Sequence, residues 1–144
     1  MEKEQSKSFE KFSKFEKEIG SILEQNKVLQ EDFNRERVLR KKYFNMVEES
    51  TKNATEQFVF EPNDRNTWIR VKSMIENYLT QQWKIGALMG TTTREAYFVK
   101  VGLNETMTEQ DIFEGRMIVQ IGLAVVRPAE FIILEFMHKM LAES

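Results

Sequence analysis

The chain has no cysteine, only two prolines, six glycines and a single histidine in 144 residues. Without cysteine there is no disulfide and no thiolate metal site, a usage that fits a reducing compartment. With one histidine, His138, a Ser-His-Asp arrangement would need a remote serine and carboxylate that no motif announces. No apolar run approaches the roughly 20 residues that cross a bilayer. The start Met1-Glu2-Lys3-Glu4 opens a series of alternating charges, not the apolar segment of a secretion signal. Excess positive charge is also missing. Against 21 Lys and Arg stand 23 Asp and Glu, a net charge of -2 that argues against a dedicated nucleic-acid binder. No membrane, nucleic acid or cofactor is therefore expected as a partner.

What the chain does have is unevenly placed. Residues 1–57 carry 12 basic and 12 acidic side chains, no proline and one glycine, Gly20, so little interrupts a helix there. Residues 58–144 carry 9 and 11, with both prolines and the other five glycines. The length suits one domain of modest core plus an appendage.

Within the first part, Phe12, Phe15, Ile19, Ile22, Asn26, Leu29 and Phe33 follow at spacings of 3, 4, 3, 4, 3 and 4, a heptad seam. Asn26 stands at an a-type position, where a lone polar residue sets register and partner number at some cost in stability. The seam reads either as a coiled-coil interface between chains or as an amphipathic helix lying on the chain's own domain. Beyond it, Arg35, Arg37, Arg40, Lys41 and Lys42 form a basic cluster. Glu31, Asp32 and Glu36 cancel much of its field, which weakens a nucleic-acid reading.

The second part alternates element types. Phe58-Val59-Phe60 is short and β-prone and ends at Pro62, after which Asp64 or Asn66 can cap a helix. Trp68, Val71, Ile75, Tyr78, Leu79 and Trp83 keep helical spacing on one buried face, with Gly86 as the stop. Ala96 to Val101 predicts a strand, with Gly102-Leu103-Asn104-Glu105 as the turn after it. Thr108 to Asp111 predicts a capping box for one helical turn ended by Gly115. From Met117 to Val125 every odd position is apolar, which predicts a strand with one buried face. A last strand is predicted near Phe131 to His138, after Pro128 interrupts pairing. The sum is an α+β fold: a small mixed sheet packed with helices, preceded by a long N-terminal helix or helical hairpin.

Sites of chemistry are scarce. Glu109, Asp111 and Glu114 lack the ligand spacing and central glycine of a calcium loop, and helix-start electrostatics accounts for the first two. Gly86 and Gly90 frame Ala87-Leu88-Met89 without the Lys-Ser/Thr of a phosphate loop. Trp68 and Trp83 read as core packing before they read as a ligand platform. No catalytic, cofactor or metal residues are assigned, and no enzymatic activity is expected.

The order of these segments carries a resemblance. Phe58-Val59-Phe60-Glu61-Pro62-Asn63-Asp64, Trp68, Trp83, Gly86-Ala87-Leu88-Met89-Gly90, Ala96-Tyr97-Phe98-Val99, Thr106-Met107-Thr108, Gly115-Arg116 and Arg127-Pro128-Ala129-Glu130-Phe131 together resemble the C-terminal domain of contractile tail sheath proteins of phages and related injection particles. The preceding Arg40-Lys41-Lys42-Tyr43-Phe44-Asn45-Met46-Val47-Glu48-Glu49-Ser50 is similar to the helix before that module, so the resemblance starts near Arg37. It divides the chain into a charged, coiled-coil-like helix at 1–36 and a sheath C-terminal-like module at 37–144.

The resemblance implies a structural subunit, assembled in the cytoplasm and resident in a virion tail or injection particle. It implies homo-oligomeric or sheath neighbours and an inner tube protein as partners. Strand exchange is the implied means of assembly, here through Phe131, Ile132, Ile133, Leu134 and Phe136; the alternative is that this segment is an inner strand of the domain's own sheet. The helix interface would use Phe12, Phe15, Ile19, Ile22, Asn26, Leu29 and Phe33, and an oligomerising coiled-coil adaptor carrying a sheath-like domain is the alternative function. The helix face with Arg70, Lys72 and Glu76, or the acidic turn near Asp111, would meet the tube. Val125 stands where the family commonly has proline, which lets its strand pair further. Sheath proteins also place an N-terminal arm and further domains before this module, so the expectation is a shortened or adaptor form, or a truncated or engineered one in which residues 1–36 are foreign.

Overall fold

The computed structural model describes residues 2–126 and 129–141. Helix α1 spans Glu2–Thr55 and runs into a 3-10 turn at Glu56–Phe60. Then follow α2 (Arg65–Lys84), α3 (Thr93–Ala96), β1 (Tyr97–Lys100), α4 (Glu109–Phe113), β2 (Arg116–Val125) and β3 (Glu130–Lys139). By internal packing the chain divides between Val38 and Leu39 into two units. The first is helix alone, as expected for a stretch with one glycine and no proline. Among the described residues no helix is long and apolar enough to cross a membrane.

The second unit is α+β. Its sheet has the order β1-β2-β3, and both pairings are antiparallel where a mixed sheet was expected. For β2 and β3 the four residues between them explain this, since a parallel neighbour needs a long crossover; the β1–β2 link, which carries α4, is long enough for either sense. The long N-terminal element is a single helix, so the hairpin alternative falls away.

Period-2 alternation sorts the two longer strands. Met117, Val119, Ile121, Leu123 and Val125 of β2 are buried, and Leu134, Phe136 and His138 of β3 lie on the same face by register. That face forms one core with Val47 of α1, Phe58 and Val59 of the 3-10 turn, and Val71, Ile75 and Leu79 of α2. Val125 still pairs with Glu130, so β2 runs on to Val125, as expected from the absence of proline there. The predicted break at Pro128 lies outside the described residues.

Local chemistry sets the element ends. Asp64 is the cap of α2, its side chain accepting from the Thr67 amide at 3.2 Å. Gly86, at φ 86°, follows the helix and donates its amide to the Trp83 carbonyl. The capping box at α4 is complete: Thr108 Oγ1 accepts from the Asp111 amide and Asp111 Oδ2 accepts from the Thr108 amide. Gly115, at φ 76°, then stops the turn.

Phe58-Val59-Phe60, expected as a strand, is 3-10 instead. Its β-prone side chains find no ladder to join and are inserted as wedges, Phe58 and Val59 entering the core while Phe60 stays exposed. One strand-like contact survives, from the Leu141 amide to the Val59 carbonyl at 2.7 Å.

Candidate functional site

Because β3 is the last strand in the order β1-β2-β3, it pairs along its whole length with β2 and has no second neighbour among the described residues. It is thus an edge strand ten residues long, with a row of outward amides and carbonyls. The pleat divides the five residues singled out in this segment. Phe131 and Ile133 are 52% and 55% exposed on the outer face, while Leu134 and Phe136 are 2% and 5% exposed in the core. Ile132 packs partly buried against that core. Side-chain recognition from outside is available to Phe131 and Ile133, whereas the others offer only backbone.

The outer face around these two is apolar and built across Gly122. Phe98 on β1 pairs with Gly122, which pairs with Ile133. The Phe98 and Phe131 rings meet over the glycine with centroids 5.8 Å apart. A Cβ at Gly122 would stand 2.1 Å from Phe98 Cε1 and 2.7 Å from Phe131 Cζ, so the two rings can meet only because that side chain is missing. A polar row of Lys100, Gln120 and Glu135 follows along the strands, then Ile118 and Met137.

The seam residues of the first unit are all solvent-facing. Exposure runs from 40% at Ile19 to 66% at Leu29, and Asn26 is exposed with them. The basic cluster is partly spent on ion pairs. Arg40 Nη1 lies 2.6 Å from Glu130 Oε2 at the start of β3, and Arg35 pairs loosely with Asp32 at 3.8 Å.

The acidic turn is likewise paired. Arg116 reaches Asp111 at 2.8 Å and also contacts Glu114, and these partners hold both carboxyls below their usual range. For Asp111 the Thr108 amide is the larger cause, and for Glu114 it is the Gln110 side chain. On α2, Arg70 stacks over the Phe58 ring at 5.1 Å and pairs with Glu61 at 3.9 Å, leaving Lys72 and Glu76 without such partners among the described ion pairs.

Both tryptophans are packed and hydrogen-bonded. Trp68 Nε1 donates to Asn63 Oδ1 at 2.7 Å, Asn63 Nδ2 donates on to the Arg116 carbonyl, and Trp83 Nε1 donates to the Gly90 carbonyl. Sequence reading missed one buried polar contact. His138 Nε2 lies 2.9 Å from Thr55 Oγ1, joining the end of α1 to β3. The Thr55 hydroxyl hydrogen goes to the Thr51 carbonyl at 2.7 Å, which leaves its oxygen to accept from the imidazole. Burial, and secondarily the Lys52 charge, push the His138 pKa down. The pairing spans 83 positions, and no local pattern announces it. Among the described residues no group of three His, Cys, Asp or Glu side chains stands close enough to hold a metal.

An antiparallel sheet with a long open edge, its inner face packed on α1, the 3-10 turn and α2, makes an α+β module. The family model of the phage tail sheath C-terminal domain matches residues 29–138. The chain belongs to that family. It is similar, at 51% identity and a TM-score of 0.57, to a chain in the cryo-EM structure of the anti-feeding prophage baseplate, the match covering 68% of this chain and 27% of that one. It is similar at the same identity and TM-score to a chain of the contracted sheath complex of an extracellular contractile injection system, PVC, covering 65% of this chain and 27% of that one. The chain thus spans about a quarter of the length of these solved relatives. No curated protein matches it.

Proposed function

We propose that the chain is a non-catalytic structural component of a contractile injection apparatus, joining sheath-type neighbours around an inner tube. Residues 37–144 act as the sheath module and residues 1–36 as a helix that contacts other subunits. The observation that carries this reading is the open edge of β3, flanked by the half-exposed Phe131 and Ile133. An edge strand takes up a strand from another chain by backbone pairing, and alternate side chains give the register. Such a joint transmits tension along backbone hydrogen bonds while the modules it connects change orientation.

Electron microscopy of the chain mixed with its cognate sheath and tube tests this, and incorporation into the cylinder or its terminal ring is the expected result. Free chains beside unaltered cylinders overturn it. The exposed seam supports a second reading, in which helix α1 assembles subunits and the sheath module is carried along. Charged substitutions at Ile19 and Asn26 separate the two readings, since they dissolve the oligomer under the second and leave strand-mediated assembly intact under the first.

A further inference from the structure

We propose that the α1 seam joins two copies of this chain as a parallel, in-register coiled coil, with Asn26 meeting Asn26 of the second copy. The inference rests on the reading of the seam as an intermolecular helix interface. Among its described residues the first unit is helix throughout, so within them nothing covers the stripe. Phe12, Ile19, Asn26 and Phe33 take the a positions, and Ser8, Phe15, Ile22 and Leu29 the d positions. Phe9 and Leu23 fall at e and widen the same face, and both are exposed. Gly20 falls at b, facing away, with nothing within 4 Å of its Cβ direction.

Charge complementarity selects the occupant and its direction. In a parallel pair each g residue faces the e residue of the next heptad on the other helix. Lys11 then meets Glu16, Glu18 meets Leu23, Gln25 meets Gln30 and Asp32 meets Arg37. Two of these four contacts are attractive, one joins two amides, and none opposes like charges. Lys11 and Glu16 are five apart and do not pair on one helix, so their complementarity serves only a second chain.

Asn26 points the same way. Parallel a layers face each other, so the two amides donate and accept across the axis. Antiparallel packing sets a against d and would place Asn26 against Phe15, Ile22 or Leu29; the one register that sets it against Ser8 leaves Leu29 and Phe33 without a seam partner. A polar side chain buried in an apolar layer without a partner is disfavoured.

The absence of native cysteine makes the test direct. The full chain is expected to have twice its 17.1 kDa mass in solution. Ser8→Cys, at a d position near the helix start, is expected to form a disulfide-linked dimer under mild oxidant, because only parallel in-register helices bring the two thiols together. Lys14→Cys, at the outward c position, is expected to stay reduced. Lys11→Glu should weaken self-association roughly tenfold, in keeping with exposed ion pairs replaced by repulsion, and adding Glu16→Lys should restore it.

A monomer at every concentration overturns the proposal, as does a trimer. A dimer in which Ser8→Cys does not link, or links no faster than Lys14→Cys, overturns the direction. A dimer that survives charged residues at both Ile19 and Asn26 assigns association to the sheath module and overturns the seam. Linkage at Ser8 by a chain that never enters a sheath leaves this inference standing and removes the sheath function instead.

Discussion

Gly122 is the residue whose side chain matters by being absent. With Phe98 and Phe131 closing over it, a substituent would displace one ring or bend β2. Gly122→Val is expected to lower stability by about 1–3 kcal/mol, the usual cost of overpacking, as read from denaturant midpoints. His138 supplies a second expectation, in pH. Its folded pKa lies below the usual 6.5, so between the two values the unfolded chain holds a proton that the folded chain lacks. Stability is therefore fully present above 6.5 and falls as pH drops through that value toward the folded pKa. His138→Gln should flatten this part of a melting-temperature profile, whereas an unchanged slope would assign it to other groups. Neither effect is visible in the local sequence. Gly122 reads as an interruption of a strand pattern and His138 as a polar end, and only the register brings their partners to them.

At the scale of elements, the helix and the last strand make separable demands. Gly20 sits in the helix interior, away from the seam and touching nothing, so Gly20→Ala should raise the helicity and midpoint of the first unit by about 1 kcal/mol. If the seam joins two chains, the same change tightens them. In β3 the pleat decides which substitutions test folding and which test assembly. Leu134→Ala removes a core side chain and is expected to cost about 2–5 kcal/mol in a denaturant melt. Ile133→Arg and Phe131→Arg lie on the outer face; the first should leave the melt within about 0.5 kcal/mol and the second should cost about 1 kcal/mol through the lost Phe98 contact, while both abolish incorporation into a sheath seen by microscopy. Loss of folding in the arginine variants would mean that this face is part of the core.

For the whole molecule, the proposed assembly rests on two features, the open strand edge and the exposed helical stripe, which would act as independent means of joining chains. The relatives at 51% identity are about four times longer than the stretch this chain matches, and the family match over residues 29–138 takes in the sheet. Backbone pairing at an edge gives geometric continuity between modules, and knob-into-hole packing of helices gives stoichiometry. A chain with both is suited to a ring or cylinder. Co-assembly of wild type with the two arginine variants and with the seam variants, counted by mass per ring, should show loss of sheath contact in the first case and altered stoichiometry in the second.

Periodicity, capping residues and breakers settled much of this protein from the sequence alone. The long helix, α2 with its Asp64 cap and Gly86 stop, the capping box at Thr108 and the buried face of β2 each depend on neighbours within a few positions, which is the range over which local chemistry acts. The family was legible for a related reason, since its signature is an order of such local signals. Tertiary structure decided what depends on partners far along the chain. It turned Phe58-Val59-Phe60 from a strand into a 3-10 wedge, because no ladder lay beside it. It made the sheet antiparallel, matched Gly122 with two aromatic rings and His138 with Thr55, and left β3 on an edge, where the pleat separates Phe131 and Ile133 from Leu134 and Phe136. Pairing register and burial are properties of the packed chain, and no window of sequence contains them.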